Sequence, residues 1–211
     1  MDILFQDRRI VVAVKPSGVL STDEPGGMPA LLRQELHTEC IRTVHRLDAP
    51  VSGLMVFARS AYAAGDLSRQ IREGTFEKHY LAVLRGAPPE REGTLTDLLA
   101  RDKETRLTHV VTTREKGVQE ARLRYRVLDS RAGLTLVRVQ LLTGRTHQIR
   151  VQLASRGLPL CGDRKYGAES GGEIGLFAWR LSFRHPDGTE RCFTLPEALL
   201  PEELRAAFLA N

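Results

Sequence analysis

The stretch that decides the fold reads ARLRYRV at residues 121–127 and resumes, after a short break, as LTLVRVQLL at residues 134–142. In the first segment apolar side chains alternate with arginines, and in the second they alternate around Arg138 and Gln140. A period of two places successive side chains on opposite faces of a strand. The two segments therefore predict a β-hairpin whose first strand has one buried face and one basic, exposed face.

Short apolar runs bounded by Gly, Pro or polar residues predict further strands. They lie at residues 9–14, 53–58, 76–84, 175–183 and 191–194. Helices are predicted where a capping residue or a proline stands at the start of an apolar face. These helices cover residues 30–39, residues from Ser60 to Arg72, residues 147–156 behind a Thr146 cap, and a last segment that begins at Pro201.

The stretch at residues 90–116 is polar, with short apolar islands, and predicts no regular element. Strands outnumber helices, and hairpins outnumber crossovers. The sequence therefore predicts an α+β fold with a mixed, largely antiparallel central sheet flanked by helices and loops. With no internal repeat or low-complexity linker, residues 1–211 are expected to form a single domain.

Positive charge is concentrated in the middle of the chain. The formal net charge is +5, and residues 51–150 carry 18 basic against 11 acidic side chains. Of the 31 basic residues, 26 are arginine, whose planar guanidinium suits phosphate groups and stacks on bases. This distribution favours a nucleic-acid partner, although a solvated arginine-rich surface without a ligand explains the charge alone equally well.

Composition and missing motifs exclude several classes of protein. With 42% hydrophobic and 27% charged residues the chain is globular rather than disordered. No apolar run approaches the roughly 20 residues of a membrane span, and the N-terminus lacks the pattern of a signal peptide, so a cytoplasmic location is expected. The three widely spaced cysteines fit neither a disulfide framework nor a zinc motif and are expected to be buried thiols.

A short loop between apolar stretches, VHRLDAPVSG at residues 44–53, carries an unusual combination of side chains. Asp48 is expected to be partly buried there, and a buried carboxylate must be paired, most favourably with an arginine. That arginine is either Arg46 or one from elsewhere in the chain. From this loop alone, the simpler explanation of Asp48 is a turn cap or a salt-bridge anchor.

A second unusual segment, GRTHQIR at residues 144–150, combines a glycine turn, a capped helix start and two arginines. Taken alone, it is also typical of an ordinary capped amphipathic helix.

Together, these segments and three others resemble the motifs of the RluA family of pseudouridine synthases, and the match covers nearly the whole chain in the expected order. The matching motifs are VKPSG at 14–18, HRLD at 45–48 with VSG at 51–53, KHY at 78–80 with VLRG at 83–86, GRTHQIR at 144–150, and LPL at 158–160 with GD at 162–163 and YG at 166–167.

The resemblance implies roles for five residues. Asp48 resembles the nucleophilic aspartate, and Arg46 the neighbouring arginine associated with flipping the target uridine. Tyr80 resembles the tyrosine that stacks on the base and is a candidate proton acceptor. Arg150 resembles the arginine that pairs with the aspartate, and Ile149 the apolar residue that lines the base pocket.

The implied reaction is the isomerisation of uridine to pseudouridine. The bond from the ribose to nitrogen 1 of uracil breaks, and the same uracil is rejoined through carbon 5 without redox change, so no cofactor and no metal are expected. A carboxylate such as Asp48 is a suitable nucleophile toward the anomeric carbon or toward carbon 6 of uracil. A proton then leaves the ribose 2′ position or carbon 5, with Tyr80 as its candidate acceptor. A stacked base is out of reach, so the nucleotide must be flipped out.

The resemblance further implies a pseudouridine synthase fold without the small N-terminal S4-like RNA-binding module of several relatives. The expected partner is structured rRNA or tRNA, with no membrane and no obligatory protein partner, so that the chain acts as a monomer. Lys15, His45 and His147 are expected to be structural. Two other classes stay open: an RNA-binding module that retains the scaffold, and a hydrolase that releases the base from the sugar.

Overall fold

The computed structural model describes residues 1–167 and 172–200, which form two compact units. Of the described residues, the first unit comprises 1–78 and 177–200, and the second comprises 79–167 and 172–176. The chain passes from one unit to the other within strands β5 (Glu77–Arg85) and β10 (Leu176–Arg184). The helix predicted to begin at Pro201 lies outside the described residues.

The first unit is built on a mixed sheet in the order β1-β2-β4-β10, with β3 against β4 and β11 against β10. Strand β4 pairs antiparallel with β2 and parallel with β10. Besides β10, its elements are β1 (Ile3–Gln6), β2 (Ile10–Lys15), α1 (Met28–Glu35), β3 (Arg42–Thr43), β4 (Ser52–Ala58), α2 (Ala61–Glu73), β11 (Glu190–Thr194) and a short 3-10 helix (Glu197–Leu199).

The central strands of this sheet are apolar along their length, because both of their faces are covered. In β2, the residues Ile10, Val11 and Val12 are fully buried, and β4 is buried from Gly53 onward. Helix α2 packs on β4. As predicted, Ser60 caps α2, its hydroxyl accepting from the backbone N–H of Ala63 at 3.1 Å.

One glycine allows β4 and β10 to approach each other. Gly53 has a φ of 120°, and a Cβ atom at this position would lie 2.3 Å from the carbonyl oxygen of Ala178. A residue with a side chain would therefore meet both a strained backbone conformation and a steric clash. Gly53 is the second residue of β4, so this close approach also fixes where the preceding loop enters the sheet.

The second unit is built on a sheet in the order β5-β9-β8-β6-β7, in which β9, β8, β6 and β7 pair antiparallel. Besides β5, its elements are β6 (Glu92–Arg101), β7 (Thr108–Val111), β8 (Gln119–Arg131), β9 (Leu134–Leu141) and α3 (Gln148–Ala154). The alternation predicted for β8 is confirmed, since Ala121, Leu123 and Tyr125 are buried and the arginines between them are exposed. The predicted α+β class, with a mixed and mostly antiparallel arrangement of strands, is confirmed.

Four strands were not predicted from the sequence, namely β1, β3, β6 and β7. Strand β6 has few apolar residues, but it pairs with β8 over eight residues, from Glu92 opposite Arg126 to Leu99 opposite Gln119. Leu99 packs there against Ala121. Tertiary pairing thus overrides the weak local signal of this stretch.

The predicted start of α3 is wrong. The helix begins at Gln148 rather than at His147, and Thr146 does not cap it, because His147 occupies the N-cap position in a left-handed conformation with a φ of 56°. Instead, Gln148 Oε1 accepts from the backbone N–H of Arg145 at 3.0 Å and from the hydroxyl of Thr143 at 2.8 Å.

The three cysteines are free thiols, but the expectation that they are buried is wrong. Cys40 and Cys161 are partly exposed, and Cys192 is exposed. Within residues 1–167 and 172–200, no helix has the length and apolar character to cross a membrane. In the same part of the chain, no group of three or more His, Cys, Asp or Glu side chains is placed to hold a metal ion.

We expect Gly53→Ala to lower the free energy of unfolding by about 3 kcal/mol or more, because the new Cβ would collide with the backbone of Ala178. The matched control is Gly65→Ala in α2, where a Cβ meets no atom within 4 Å. That change should stabilise the protein by about 0.5–1 kcal/mol, since alanine is the better helix former. Equilibrium urea unfolding measures both, and equal stabilities of the two variants would contradict this account.

Candidate active site

A buried ammonium group organises the loop that carries Asp48. Lys15, at the end of β2, is fully buried, and its Nζ donates to three backbone carbonyl oxygens, those of Pro16 (2.8 Å), Val19 (2.7 Å) and Ala49 (2.9 Å). The first two belong to the turn that follows β2, and the third directly follows Asp48. Lys15 therefore joins two chain segments at the position of the aspartate.

Backbone hydrogen bonds complete the turn at Asp48. The N–H of Gly18 donates to the carbonyl of Ala49 at 2.8 Å, and the N–H of Val51 donates to the carbonyl of Asp48 at 3.0 Å. On the other side of the aspartate, the buried hydroxyl of Ser21 binds Leu47 twice. It donates to the Leu47 carbonyl at 2.8 Å and accepts from the Leu47 N–H at 3.0 Å.

Asp48 is half-buried on this loop, as predicted, and Arg46 is exposed. Burial lowers the pKa of Lys15 from its ordinary 10.5 to about 8, and the nearby carboxylate of Asp48 opposes part of that shift. The two groups therefore attract each other in their charged forms. The loop thus offers a partly accessible carboxylate, held on a rigid turn beside a cation, which is an arrangement suited to a nucleophile.

His45 anchors the same loop to strand β4 and is neutral at neutral pH. Its Nε2 accepts from the backbone N–H of Val56 at 3.1 Å, and its ring packs against Phe76 with 5.6 Å between centroids. Burial, with a smaller contribution from the charge of Lys78, lowers the pKa of His45 from 6.5 to about 3. A neutral acceptor to a strand is a structural group, in agreement with the role expected for this histidine.

The second unit holds Arg150 in a buried ion pair. Arg150 lies on α3, and its Nε and Nη2 donate to Oδ2 and Oδ1 of Asp163 at 2.8 and 2.7 Å. Both side chains are at least 96% buried. Two parallel bonds to one carboxylate fix the plane of the guanidinium as well as its position.

An aromatic residue completes this network. The guanidinium carbon of Arg150 lies 5.2 Å from the ring centroid of Tyr166. The Tyr166 hydroxyl accepts from the backbone N–H of Thr108 at 2.8 Å and lies 2.8 Å from Nδ1 of His147. His147 therefore ties the start of α3 to Tyr166, which matches its expected structural role, and the stacked ring restricts the guanidinium further.

The other two predicted residues also belong to the second unit. Tyr80 lies on β5 and is 6% exposed, and Ile149 precedes Arg150 on α3 and is 4% exposed. Asp48 and Arg46 share one loop of the first unit. The pairing of Arg150 with Asp48 that the resemblance implies stays a prediction.

Residues 9–155 match the family model described as RNA pseudouridylate synthase. The chain belongs to this family. It is 33% identical over 229 residues to ribosomal large subunit pseudouridine synthase D of Nitrosomonas europaea, an alignment that covers 100% of this chain and 65% of that protein. It is 34% identical over 218 residues to the uncharacterized RNA pseudouridine synthase YlyB of Bacillus subtilis, covering 97% of this chain and 70% of that protein.

A solved structure named Human RNA Pseudouridylate Synthase Domain Containing 1 has the same fold. Its TM-score is 0.82 at 26% sequence identity, with 98% of this chain and 86% of that chain covered. The predicted RluA-type pseudouridine synthase fold and the predicted enzyme class, an isomerase that acts on uridine in RNA, are confirmed at the level of the family. The chain spans about two thirds of the length of the two bacterial relatives.

Sequence reasoning missed the hydrogen bonds that three residues make around the candidate site. Ser21 was not singled out and Asp163 was quoted in the GD motif without a role, so only the structure shows their bonds to Leu47 and Arg150. The third, Lys15, was placed in a structural motif, but its contacts with the turn after Asp48 were not foreseen. The position of Lys15 at the end of an otherwise apolar strand could have indicated such contacts, because a buried cation requires hydrogen-bond acceptors.

We expect His45→Gln to make stability less sensitive to acid. The native pKa of His45 is about 3 and its ordinary value is 6.5, so the unfolded chain binds a proton in this window and the native chain does not. Stability is therefore lost as the pH falls below about 6.5, by up to about 1.4 kcal/mol per pH unit from this residue. Glutamine retains an acceptor and does not titrate.

The measurement is urea unfolding at several pH values between about 7 and 5, a range that lies inside this window. The free energy of unfolding should fall less steeply in His45→Gln than in the wild type, whereas the exposed His109→Gln should follow the wild type. Parallel curves for the wild type and His45→Gln would show that His45 is not held neutral.

Proposed function

We propose that this chain isomerises uridine to pseudouridine in structured ribosomal RNA, with Asp48 as the nucleophile on a flipped-out uridine. The observation that carries the proposal is the half-buried Asp48 on a turn clamped by the Lys15 ammonium, in a chain of the RNA pseudouridylate synthase family. The relative named for the large ribosomal subunit favours rRNA as the substrate. Transfer RNA is the other class that the sequence leaves open.

In this proposal, Asp48 attacks either the anomeric carbon or carbon 6 of uracil. The bond from the ribose to nitrogen 1 breaks, carbon 5 bonds to the ribose, and the proton displaced from carbon 5 is balanced by one gained at nitrogen 1. Every atom of the nucleotide is retained, so the reaction needs no redox partner and no cofactor. The aspartate is released at the end, which makes the covalent step catalytic.

The remaining residues are proposed to bind the RNA or to orient the reacting groups. Arg46 is exposed and close in sequence to Asp48. We propose that its side chain fills the gap that the flipped-out base leaves in the RNA stack. Tyr80 stacks on the flipped uracil and takes up the mobile proton, and Ile149 supplies an apolar wall for the base. Arg150 is the catalytic cation, and Asp163 is a positioning residue that holds its guanidinium. The synthase is further proposed to act in the cytoplasm as a monomer.

The test is pseudouridine mapping of total RNA from cells with and without the gene. Sites in rRNA should vanish with the gene and return with the wild-type chain, but not with Asp48→Asn, whose rate should be at least about 10³-fold lower because the amide is no nucleophile. Asp129→Asn is the matched control. It removes a carboxylate from a surface pair with Arg131, and it should restore every site.

Each other outcome contradicts a defined part of the proposal. Sites confined to tRNA would overturn the assignment to rRNA. Full complementation by Asp48→Asn would point to an RNA-binding module instead of an enzyme. Release of free uracil by the purified chain would indicate a hydrolase, because isomerisation conserves the mass of the RNA.

A further inference from the structure

Strand β8 carries a row of arginines on the exposed face of the second unit's sheet. Arg122, Arg124 and Arg126 alternate with buried residues, so all three project from the same face. Alternate residues of a strand are about 7 Å apart. Arg138 of β9 lies directly opposite Arg126 in the antiparallel register. We call these four residues the arginine stripe.

The stripe is electrostatically unbalanced. Within residues 1–167 and 172–200, none of its four guanidinium groups makes a hydrogen bond or an ion pair. Glu92 lies opposite Arg126 on β6 but forms no ion pair with it, and Glu120 at the end of β8 is paired with Arg114. Like charges directly opposite each other, such as Arg126 and Arg138, destabilise a sheet. The fold therefore retains a repulsive arrangement that an anion would relieve.

Besides Glu92 and Glu120, the neighbours of the stripe include uncharged groups that can bind phosphate. Thr94 and Thr96 of β6 lie opposite Arg124 and Arg122, and both are exposed. Gln140 of β9 lies opposite Arg124 on the other side. Hydroxyl, amide and guanidinium groups are the usual donors to the oxygens of a nucleic-acid backbone.

The stripe is also connected to the segment that leads into α3. The backbone of Arg122 accepts from Nε2 of Gln148 at 3.0 Å and donates to the hydroxyl of Thr143 at 2.8 Å. Helix α3 itself packs on the opposite face of the sheet, where Val151 contacts Leu99 and Ala121. The stripe is thus a surface separate from the one that holds Arg150, and one end of it is bonded to the start of the helix.

We propose that the arginine stripe is a docking surface for the phosphate backbone of the substrate RNA, outside the residues that contact the target uridine. The inference rests on the proposed function for the identity of the partner. Successive arginines about 7 Å apart along one strand match a polyanion with regularly spaced charges. The contacts carry no base information, so the stripe adds affinity and orientation rather than sequence selectivity.

The test compares two double variants with the same change of charge. Arg124→Gln/Arg126→Gln removes two charges from the stripe, and Arg8→Gln/Arg72→Gln removes two exposed charges from the first unit. Binding of a fluorescent RNA hairpin is measured by anisotropy between about 50 and 200 mM salt. Thermal unfolding of each variant is measured in parallel. The stripe variant should be at least as stable as the wild type, because repulsion is relieved.

The stripe variant should bind the hairpin about tenfold more weakly near 100 mM salt, with a salt slope reduced by roughly 1.5, whereas the control should match the wild type. Equal affinities of the two variants would overturn the proposal. If both variants bind the hairpin as the wild type does, an acidic protein is favoured as the occupant of the stripe. A wild type that binds the hairpin through the stripe but modifies no RNA would overturn the proposed function alone.

Discussion

The loop that carries Asp48 depends on one buried cation. Lys15 reaches three carbonyl oxygens from two separate chain segments, and no apolar side chain could replace these bonds. Loss of the ammonium would leave three carbonyl groups without their donor at a cost of about 1–3 kcal/mol each where they are buried. The same cation faces the carboxylate of Asp48. The ammonium that binds these carbonyl groups is thus also the charge beside the proposed nucleophile, which gives the fully buried Lys15 two interactions that a neutral side chain would lack.

In the second unit, the position of a buried charged group is fixed by an ion pair. Arg150 and Asp163 are both buried, and such a pair contributes less to stability than its short distances suggest, because both charges lose their hydration. What the pair supplies is a fixed guanidinium plane, which is strengthened by the ring of Tyr166. For the role proposed for Arg150, this geometry matters more than the energy of its contacts, since small misplacements of a catalytic group reduce rates strongly.

The parts of the fold that could be predicted are those with a strong local signal. The alternation of β8 and the Ser60 cap of α2 follow directly from residue spacing. Strand β6 has no such signal, because its pairing partner β8 determines its conformation. Likewise, His147 rather than Thr146 occupies the N-cap position of α3, without a side-chain cap, because of the path of the loop in three dimensions.

For the candidate site, the motifs suggested residues but not the bonds that hold them. Asp48 and Arg150 were selected because their segments match a family pattern, and their roles stay predictions. Asp163 belongs to a matching motif, but its bond to Arg150 was not predicted, because the two residues are thirteen apart, beyond the reach of any helix or strand period. Long-range partners of charged residues have no sequence signature of their own, whereas a buried charge guarantees that some partner exists.

We infer that the Lys15 ammonium holds Asp48 in the position that the proposed nucleophilic attack requires. The most direct test is the single-turnover rate of pseudouridine formation by Lys15→Met, which preserves the length of the side chain and removes its donors, with near-UV circular dichroism to confirm that the variant is folded. We expect a folded protein whose rate is lower by about 100-fold or more. A folded variant with an unchanged rate would contradict this inference.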